Sequence, residues 1–310
     1  MDYQAFVEEQ IAEIRKEVGE GTAVNALSGG VDSSVVTAMG FRALGNRLKT
    51  VFIDSALMRE GEPDRVVKTF AEIGIPVQKV DARADFLTAL KGLTDPEEKR
   101  NAVTFTFYKT VFGRLVRETG AKSLLHGTIL TDIEETVAGI KRQHNILAQL
   151  GINPEKEYGY RVLEPLKTLR KDGVREVAKI LGLPKEITQR IPFPGPALAT
   201  RIVGEVTEER LAVVRAATAI VEEELGDTGA FQYLAVLLND RATGIQDGKR
   251  EFGQIIVVRC LNSVDARVAT PVDLPWEKLH RICKRITSIK GVNRCLYDLT
   301  PKPPATIEYI

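Results

Sequence analysis

The chain has 310 residues, 27% of them charged, and a formal net charge of +1 at pH 7. That balance gives no global field to draw it to nucleic acid or to a membrane surface. No apolar run approaches the ~18 residues a membrane span requires, and Met1-Asp2-Tyr3 opens on an acid with no apolar secretory stretch behind it, so the expected location is cytoplasmic.

The length suits two domains. Cys260, Cys283 and Cys295 fall late in the chain without C-x-x-C spacing, which argues against a disulfide scaffold, a zinc site or a redox motif and for buried apolar thiols. Phe6, Val7, Ile11, Ile14 and Val18 recur at helical spacing over Tyr3–Val18. The run 22–27 then reads as a buried strand, and Val35, Val36, Met39 and Leu44 carry a helix. Between them stands Ser28-Gly29-Gly30-Val31-Asp32-Ser33-Ser34.

A strand that turns through glycines into a helix N-terminus is suited to bind phosphate: backbone N–H groups can approach the anion and the helix dipole points its positive end there. Three serines add hydroxyl donors. Asp32, an acid among anion-attracting groups, is explained by Mg²⁺ held between it and the phosphates. The competing reading is a tight turn with Asp32 as an ordinary first-turn acid. The G-x-x-x-x-G-K-[ST] pattern is absent. SGGVDS is similar to the pyrophosphate loop of the N-type ATP pyrophosphatases, which cleave ATP between its α and β phosphates.

Further along, 50–53 and 77–80 read as strands. Asp54 and Arg59 lie at the carboxyl end of the former, where ligands of open α/β sheets bind. Residues 95–118 read as a long helix with Asp95 as N-cap and Pro96 at its start, its arginines and Lys109 forming a solvated face. A fourth strand, 122–126, leads into 127–145, where Asp132 and Glu135 sit three apart, on one face of a helix. Near a triphosphate such a pair suggests metal or ribose contacts, and Lys141 with Arg142 could neutralise transition-state charge; a polar surface loop reads equally well. Strands alternating with helices imply a doubly wound parallel sheet. The stretch 187–196, with Pro192, Pro194 and Pro196, is neither regular helix nor central strand: a linker, or a rigid binding loop. We divide the chain just before it, into 1–185 and 186–310. Beyond it, helices at 206–225 and 276–286 and strands at 233–238, 254–261, 294–299 and 306–309 give an α+β pattern with an antiparallel sheet.

The chain resembles GMP synthetase, specifically its stand-alone ATP pyrophosphatase subunit. The resemblance rests on LSGGVDSSV (27–35), VFIDSALMR (51–59), GTILTDIEET (127–136), IKRQHN (140–145), EPLKTLRKDGVR (164–175), RIPFPGPALATRIVGEV (190–206) and YDLTPKPPATIEYI (297–310). It implies an N-type ATP pyrophosphatase α/β fold with a smaller C-terminal α+β dimerisation domain. The implied reaction is ATP + XMP + ammonia → AMP + pyrophosphate + GMP through adenyl-XMP. Carried over by position, residues 28–34 bind ATP, with Asp32 on Mg²⁺. Asp132, Glu135 and Lys141 belong to a lid that closes over the nucleotides. Arg59, Pro194, Gly195, Pro196, Arg250, Lys302, Ile307 and Glu308 contact XMP, Arg250 and Lys302 suiting its phosphate and Glu308 a ring N–H.

Two departures stand out: Asp247-Gly248-Lys249-Arg250 where the family has Gly-Asp, and Gln143-His144 where bifunctional relatives pair histidines. With no glutaminase domain in the sequence, the resemblance implies ammonia from a separate glutamine amidotransferase subunit, and a homodimer, with no nucleic-acid or membrane partner. The alternatives are a pyrophosphatase adenylating another acceptor, amide-forming or tRNA-thiolating, and a nucleotide sensor with a vestigial loop. The clustering of the cysteines at 260–295 and the +1 charge oppose thiolation; the presence of Asp32 and Lys141 opposes the sensor.

Overall fold

The computed structural model describes residues 1–137, 159–188, 191, 193–246, 248–264 and 266–310, and the side chains of all of these but 135–137 and 246. The chain forms two compact units. One comprises Met1–Asp54, Pro63–Asp85 and Thr104–Arg190; the other comprises Ser55–Glu62, Phe86–Val103 and Ile191–Ile310.

The first unit is built on a five-stranded parallel sheet. Its strands are β1 (Ala23–Ala26), β2 (Leu48–Asp54), β3 (Val77–Asp81), β4 (Ser123–Leu125) and β5 (Arg161–Leu163), in the order β3-β2-β1-β4-β5. Each of the four pairings is parallel, as the alternation of strands and helices requires. Successive strands step outward from β1 in one direction through β2 and β3, then in the other through β4 and β5. The order therefore reverses between β1 and β4, and ligands of such sheets bind outside the carboxyl ends of the two strands at that reversal.

Local chemistry sets the helices. α1 (Tyr3–Val18) starts at Asp2, whose carboxylate accepts from the Gln4 and Ala5 N–H groups, and buries Phe6, Val7, Ile11 and Ile14. α2 (Val31–Leu44) is buried on most of its surface, Val35, Val36 and Met39 completely or nearly so. α3 (Glu62–Glu72) and α4 (Arg83–Leu90) follow. The predicted long helix is present as α5 (Pro96–Phe105), a π-helical stretch at Thr106–Phe112 and α6 (Gly113–Thr119); Asp95 accepts from the N–H groups of Glu97 and Glu98, as its N-cap reading requires. α7 (Leu130–Val137) begins just beyond β4, and α8 (Lys171–Ile180) and the short α9 (Lys185–Thr188) close the unit.

In the second unit a 3₁₀ turn at Ala197–Arg201 precedes α10 (Glu208–Leu225), capped by Thr207. Then come β6 (Gln232–Gln246), β7 (Lys249–Ser263), β8 (Ala269–Pro271), α11 (Trp276–Ile286) and β9 (Val292–Tyr297). β6, β7 and β8 pair antiparallel, while β9 joins β7 in parallel. Leu234, Val236 and Val257 pack together in the core, with Val203, Leu238 and Tyr309 against them. The expected strand at 306–309 does not form. Pro303 and Pro304 offer no N–H to a ladder, and the Thr306 carbonyl is taken instead by the Arg259 guanidinium at 2.9 Å. Cys260 is buried, its thiol pushed up to about 11 by burial, while Cys283 and Cys295 are half-buried. Among the described residues no helix is long and apolar enough to cross a membrane.

One buried polar group ties the centre of the first unit together. Asn25 on β1 donates to the Thr37 hydroxyl of α2 at 2.6 Å and accepts from the Thr50 hydroxyl of β2 at 2.8 Å. Replacing it (Asn25→Ala) strands the buried Thr50 hydroxyl without its acceptor and is expected to destabilise the protein by about 1–3 kcal/mol. Urea denaturation followed by circular dichroism measures this, and an unshifted midpoint would show that Asn25 adds nothing to stability.

Candidate functional site

The loop after β1 fits an anion. Gly29 adopts φ 75°, a left-handed conformation that favours glycine, and lets the chain turn sharply into α2. The Ser33 hydroxyl donates to the Gly30 carbonyl at 3.0 Å, as does that of Ser34 at 2.8 Å. With Ser33's proton committed, the Ser28 hydroxyl is the donor in the 2.9 Å contact between the two serines. The first N–H groups of α2 have no intrahelical acceptor, which favours an anion at this end of the helix.

The loop after β4 closes on this turn. At Gly127 a Cβ would come within 3.2 Å of the Ser33 nitrogen and 3.3 Å of the Asp32 carbonyl carbon, so a side chain there would have to push the α2 N-terminus back by a few tenths of an ångström. Both strands at the sheet's reversal point thus deliver their loops to one place.

Asp32 is held by a residue outside the candidates that the sequence pattern singles out. Lys171, the first residue of α8, donates to Asp32 Oδ2 at 2.6 Å across 139 positions of chain. The other oxygen, Oδ1, is buried without a hydrogen-bond partner among the described residues, and no group of three or more metal-ligating side chains occurs among them. One orphaned carboxylate oxygen beside a phosphate-binding turn fits Mg²⁺, which takes one or two carboxylates and completes its shell from phosphate and water.

Behind the loops runs an oriented chain of hydrogen bonds. Thr128 donates to Glu164 at 2.6 Å, so its hydroxyl accepts from His126 Nδ1 at 2.8 Å; His126 Nε2 is then the acceptor facing the Tyr108 hydroxyl at 3.2 Å. These directions place a proton on Nδ1, and burial, which disfavours the charged ring, leaves Nε2 bare as the acceptor. Burial pushes the His126 ring below its ordinary range, against Glu164 and Asp132, and raises Tyr108 to about 12. Tyr108 lies on the π-helical stretch, a form that recurs at functional sites. Asp132 accepts from the Ile129 N–H at 3.1 Å. Lys141 and the side chain of Glu135 lie outside the described residues, as do Gln143 and His144.

The second unit gathers most of its candidates around one ring. Phe193 has the Arg59 guanidinium 4.1 Å from its centroid and that of Arg201 at 4.8 Å. Arg59 pairs with Glu222 at 2.8 Å. Arg201, fully buried, donates twice to Glu308 at 3.1 and 3.2 Å, and Gln232 donates to the same carboxylate at 2.5 Å. Pro194, Gly195 and Pro196 form the turn directly after Phe193, with Ala197 N–H bonded to the Pro194 carbonyl. Lys302 donates to the Ala266 carbonyl at 2.8 Å and bridges Ala269, and Ile307 is half-buried next to Glu308. Arg250 stands exposed near the tip of the β6–β7 hairpin, opposite Ile245. Arg201, Phe193 and Gln232 are not among the sequence candidates; the signal available for the first two is their place beside the proline turn.

A phosphate loop at the reversal point of a parallel sheet, joined in one chain to an antiparallel second unit, defines an α/β pyrophosphatase-loop protein. A family model for NAD synthase matches residues 3–110, and one for the GMP synthase C-terminal domain matches 219–309. The chain is 50% identical over 310 residues to a protein of Archaeoglobus fulgidus named as one lettered subunit of GMP synthase [glutamine-hydrolyzing], covering all of both chains. The identically named Pyrococcus abyssi protein is 48% identical over the whole of both chains, and that of Methanopyrus kandleri 46% over 99% of each. The chain belongs to this family of GMP synthase subunits. Among solved structures, an NH3-dependent NAD synthetase from Campylobacter jejuni is 17% identical, with TM-score 0.49, over 61% of this chain and 78% of its own.

Because the His126 ring is depressed below its ordinary 6.5, the stability it contributes is complete above pH 6.5 and is lost as pH falls through its folded value. His126→Asn keeps a donor near the Nδ1 position and cannot titrate. Its urea midpoint should therefore fall less between pH 7.5 and 5.5 than that of the wild type; equal losses would refute a neutral, enclosed imidazole.

Proposed function

We propose that this chain converts XMP to GMP, with ATP + XMP + ammonia giving AMP + pyrophosphate + GMP. Full-length likeness to proteins named as GMP synthase subunits is the observation that carries the reading. The chemistry accounts for the parts. The C2 oxygen of xanthine is a poor leaving group, so its attack on the α-phosphate of ATP, forming adenyl-XMP and releasing pyrophosphate, precedes displacement of AMP by ammonia.

The turn from Ser28 to Ser34, with Gly29, Gly30 and Val31 contributing backbone, holds the β and γ phosphates at the α2 N-terminus. Asp32 is the residue that would hold Mg²⁺, which when bound offsets negative charge on the departing pyrophosphate. Lys171, paired with Asp32, orients that carboxylate and brings an ammonium to the phosphate side. Asp132, Glu135 and Lys141 act in closure over the nucleotides, Lys141 adding positive charge where negative charge develops on phosphate.

XMP lies against Arg59, the turn Pro194-Gly195-Pro196, Ile307 and Glu308. Arg250 and Lys302 serve its phosphate, and Glu308, oriented by Arg201 and Gln232, accepts from a ring N–H. A separate glutamine amidotransferase subunit supplies ammonia; the relatives' names, which make each of them one subunit of a glutamine-hydrolyzing enzyme, support this. The protein works as a homodimer through its C-terminal part, in the cytoplasm.

The purified chain, given Mg-ATP and XMP, should form GMP and pyrophosphate with ammonium and none with glutamine. GMP from glutamine would sink the reading of a separate ammonia source, and ATP cleavage with no GMP would sink XMP as substrate. Lys171→Met should lower pyrophosphate release by about 100-fold with an unchanged far-UV spectrum; wild-type turnover would remove Lys171 from the phosphate site.

A further inference from the structure

Lys99 is the second unit's most unusual charge. It is 2% exposed, on α5, and its ammonium donates to the carbonyls of Ile202 at 2.6 Å, Gly204 at 3.0 Å and Ala199 at 3.4 Å. None of these acceptors is a carboxylate. A buried ammonium is expensive unless paired, and an apolar side chain would fill the same space at lower cost. Its acceptors suggest what the charge does.

Ala199 lies within the 3₁₀ turn Ala197–Arg201 and Ile202 is the extended residue that caps it, where helical carbonyls lack a partner within the turn and the dipole is negative. The turn begins directly after Pro196 and ends on Arg201, which holds Glu308 and lies over Phe193. Gly92, from the same stretch of chain as Lys99, donates its N–H to Glu205 Oε1 at 2.7 Å, so the segment from 199 to 205 is gripped twice. On the reading that this loop binds XMP, we propose that Lys99 is a positioning residue for the substrate. Its ammonium serves as a built-in cation in a cage of backbone carbonyls and fixes the turn that follows Pro194-Gly195-Pro196 and carries Arg201.

The cage makes a charge-dependent device. Burial, and then the neighbouring Arg210, bring the Lys99 ammonium down to about 8, opposed by Asp95. Those are the charged groups that face it; Arg201 and Glu205, on the gripped segment, are engaged with Glu308 and with Gly92. Between pH 7 and 9 the change of charge in the cage is therefore that of Lys99. Loss of the proton weakens the hold on three carbonyls and loosens the turn, so XMP binding should weaken over this range while ATP binding does not.

The test uses the full chain, wild type and Lys99→Met, which keeps an unbranched side chain of similar length. XMP and ATP affinities are measured by calorimetry at pH 7, 8 and 9, and KM for each in the ammonium assay. Support is an XMP KM raised about tenfold or more in the variant, as misplaced binding groups produce, with the ATP KM within about twofold. A wild-type XMP affinity that falls from pH 7 to 9, and is flat in the variant, supports it equally. An unchanged XMP KM in folded Lys99→Met overturns the proposal and assigns Lys99 to stability alone. Should the variant not fold, a wild-type XMP affinity that stays flat from pH 7 to 9 overturns it. A wild type that neither binds XMP nor forms GMP fails the functional reading itself, and the substrate role of Lys99 with it.

Discussion

Backbone that leaves regular structure inside a folded protein must still find partners for its carbonyls, and here that requirement is met by buried and half-buried cations. In the second unit the segments around the proline turn and before Glu308 are largely irregular, so few of their carbonyls are served by a ladder or helix. Arg210 takes the carbonyls of Val203, Glu205 and Leu238, Arg215 those of Ala56 and Met58, and Arg259 those of Thr300 and Thr306. Lys99 takes three more. A guanidinium suits the task because its planar fork reaches several oxygens in fixed directions and stays charged. The loops are thereby held in defined shapes by residues whose own side chains are locked, the arrangement that precise ligand placement needs.

The first unit solves the opposite problem, a surplus of donors. The α2 N-terminus, the serines and the glycine turn gather positive potential, which favours something negative there. Asp32 and its partner Lys171 balance each other while leaving one carboxylate oxygen uncommitted. Both partners are partly exposed, so the pair adds little to stability. Its consequence is orientation: the carboxylate is aimed before any nucleotide arrives. Gly127 keeps the second loop close enough for one ligand to meet both strand ends.

What is legible in the sequence is what is decided locally. Four strands of the parallel sheet, the glycine turn, the Asp95 cap and the two helices at 206–225 and 276–286 follow from periodicity and from residue types acting within a few positions. Long-range pairings leave no such trace. Lys171 with Asp32 and Arg201 with Glu308 are 139 and 107 residues apart, and a lysine on a helix full of charges reads as solvated until the fold pairs it. The hairpin is longer than its sequence pattern for a related reason. β6 runs on to Gln246 through a register irregularity between Leu237 and Arg241, where Asn239, Asp240 and Arg241 interrupt the apolar alternation. At 306–309 the alternation resembles a strand, while the prolines before it and Arg259 beside it send the chain elsewhere.

The change of sequence pattern at the proline-rich stretch is also not where the second unit's dependence on the chain begins. Residues 55–62 and 86–103 belong to it and supply Arg59 and Lys99. Without the first segment, Glu222 has no Arg59, Arg215 loses both its carbonyl acceptors, and Leu198 N–H loses the Leu57 carbonyl it meets at 3.0 Å. Without the second, three carbonyls beside the proline turn lose their cation. The family model that covers only residues 219–309 therefore matches a scaffold whose candidate binding residues are completed by chain from much earlier in the sequence.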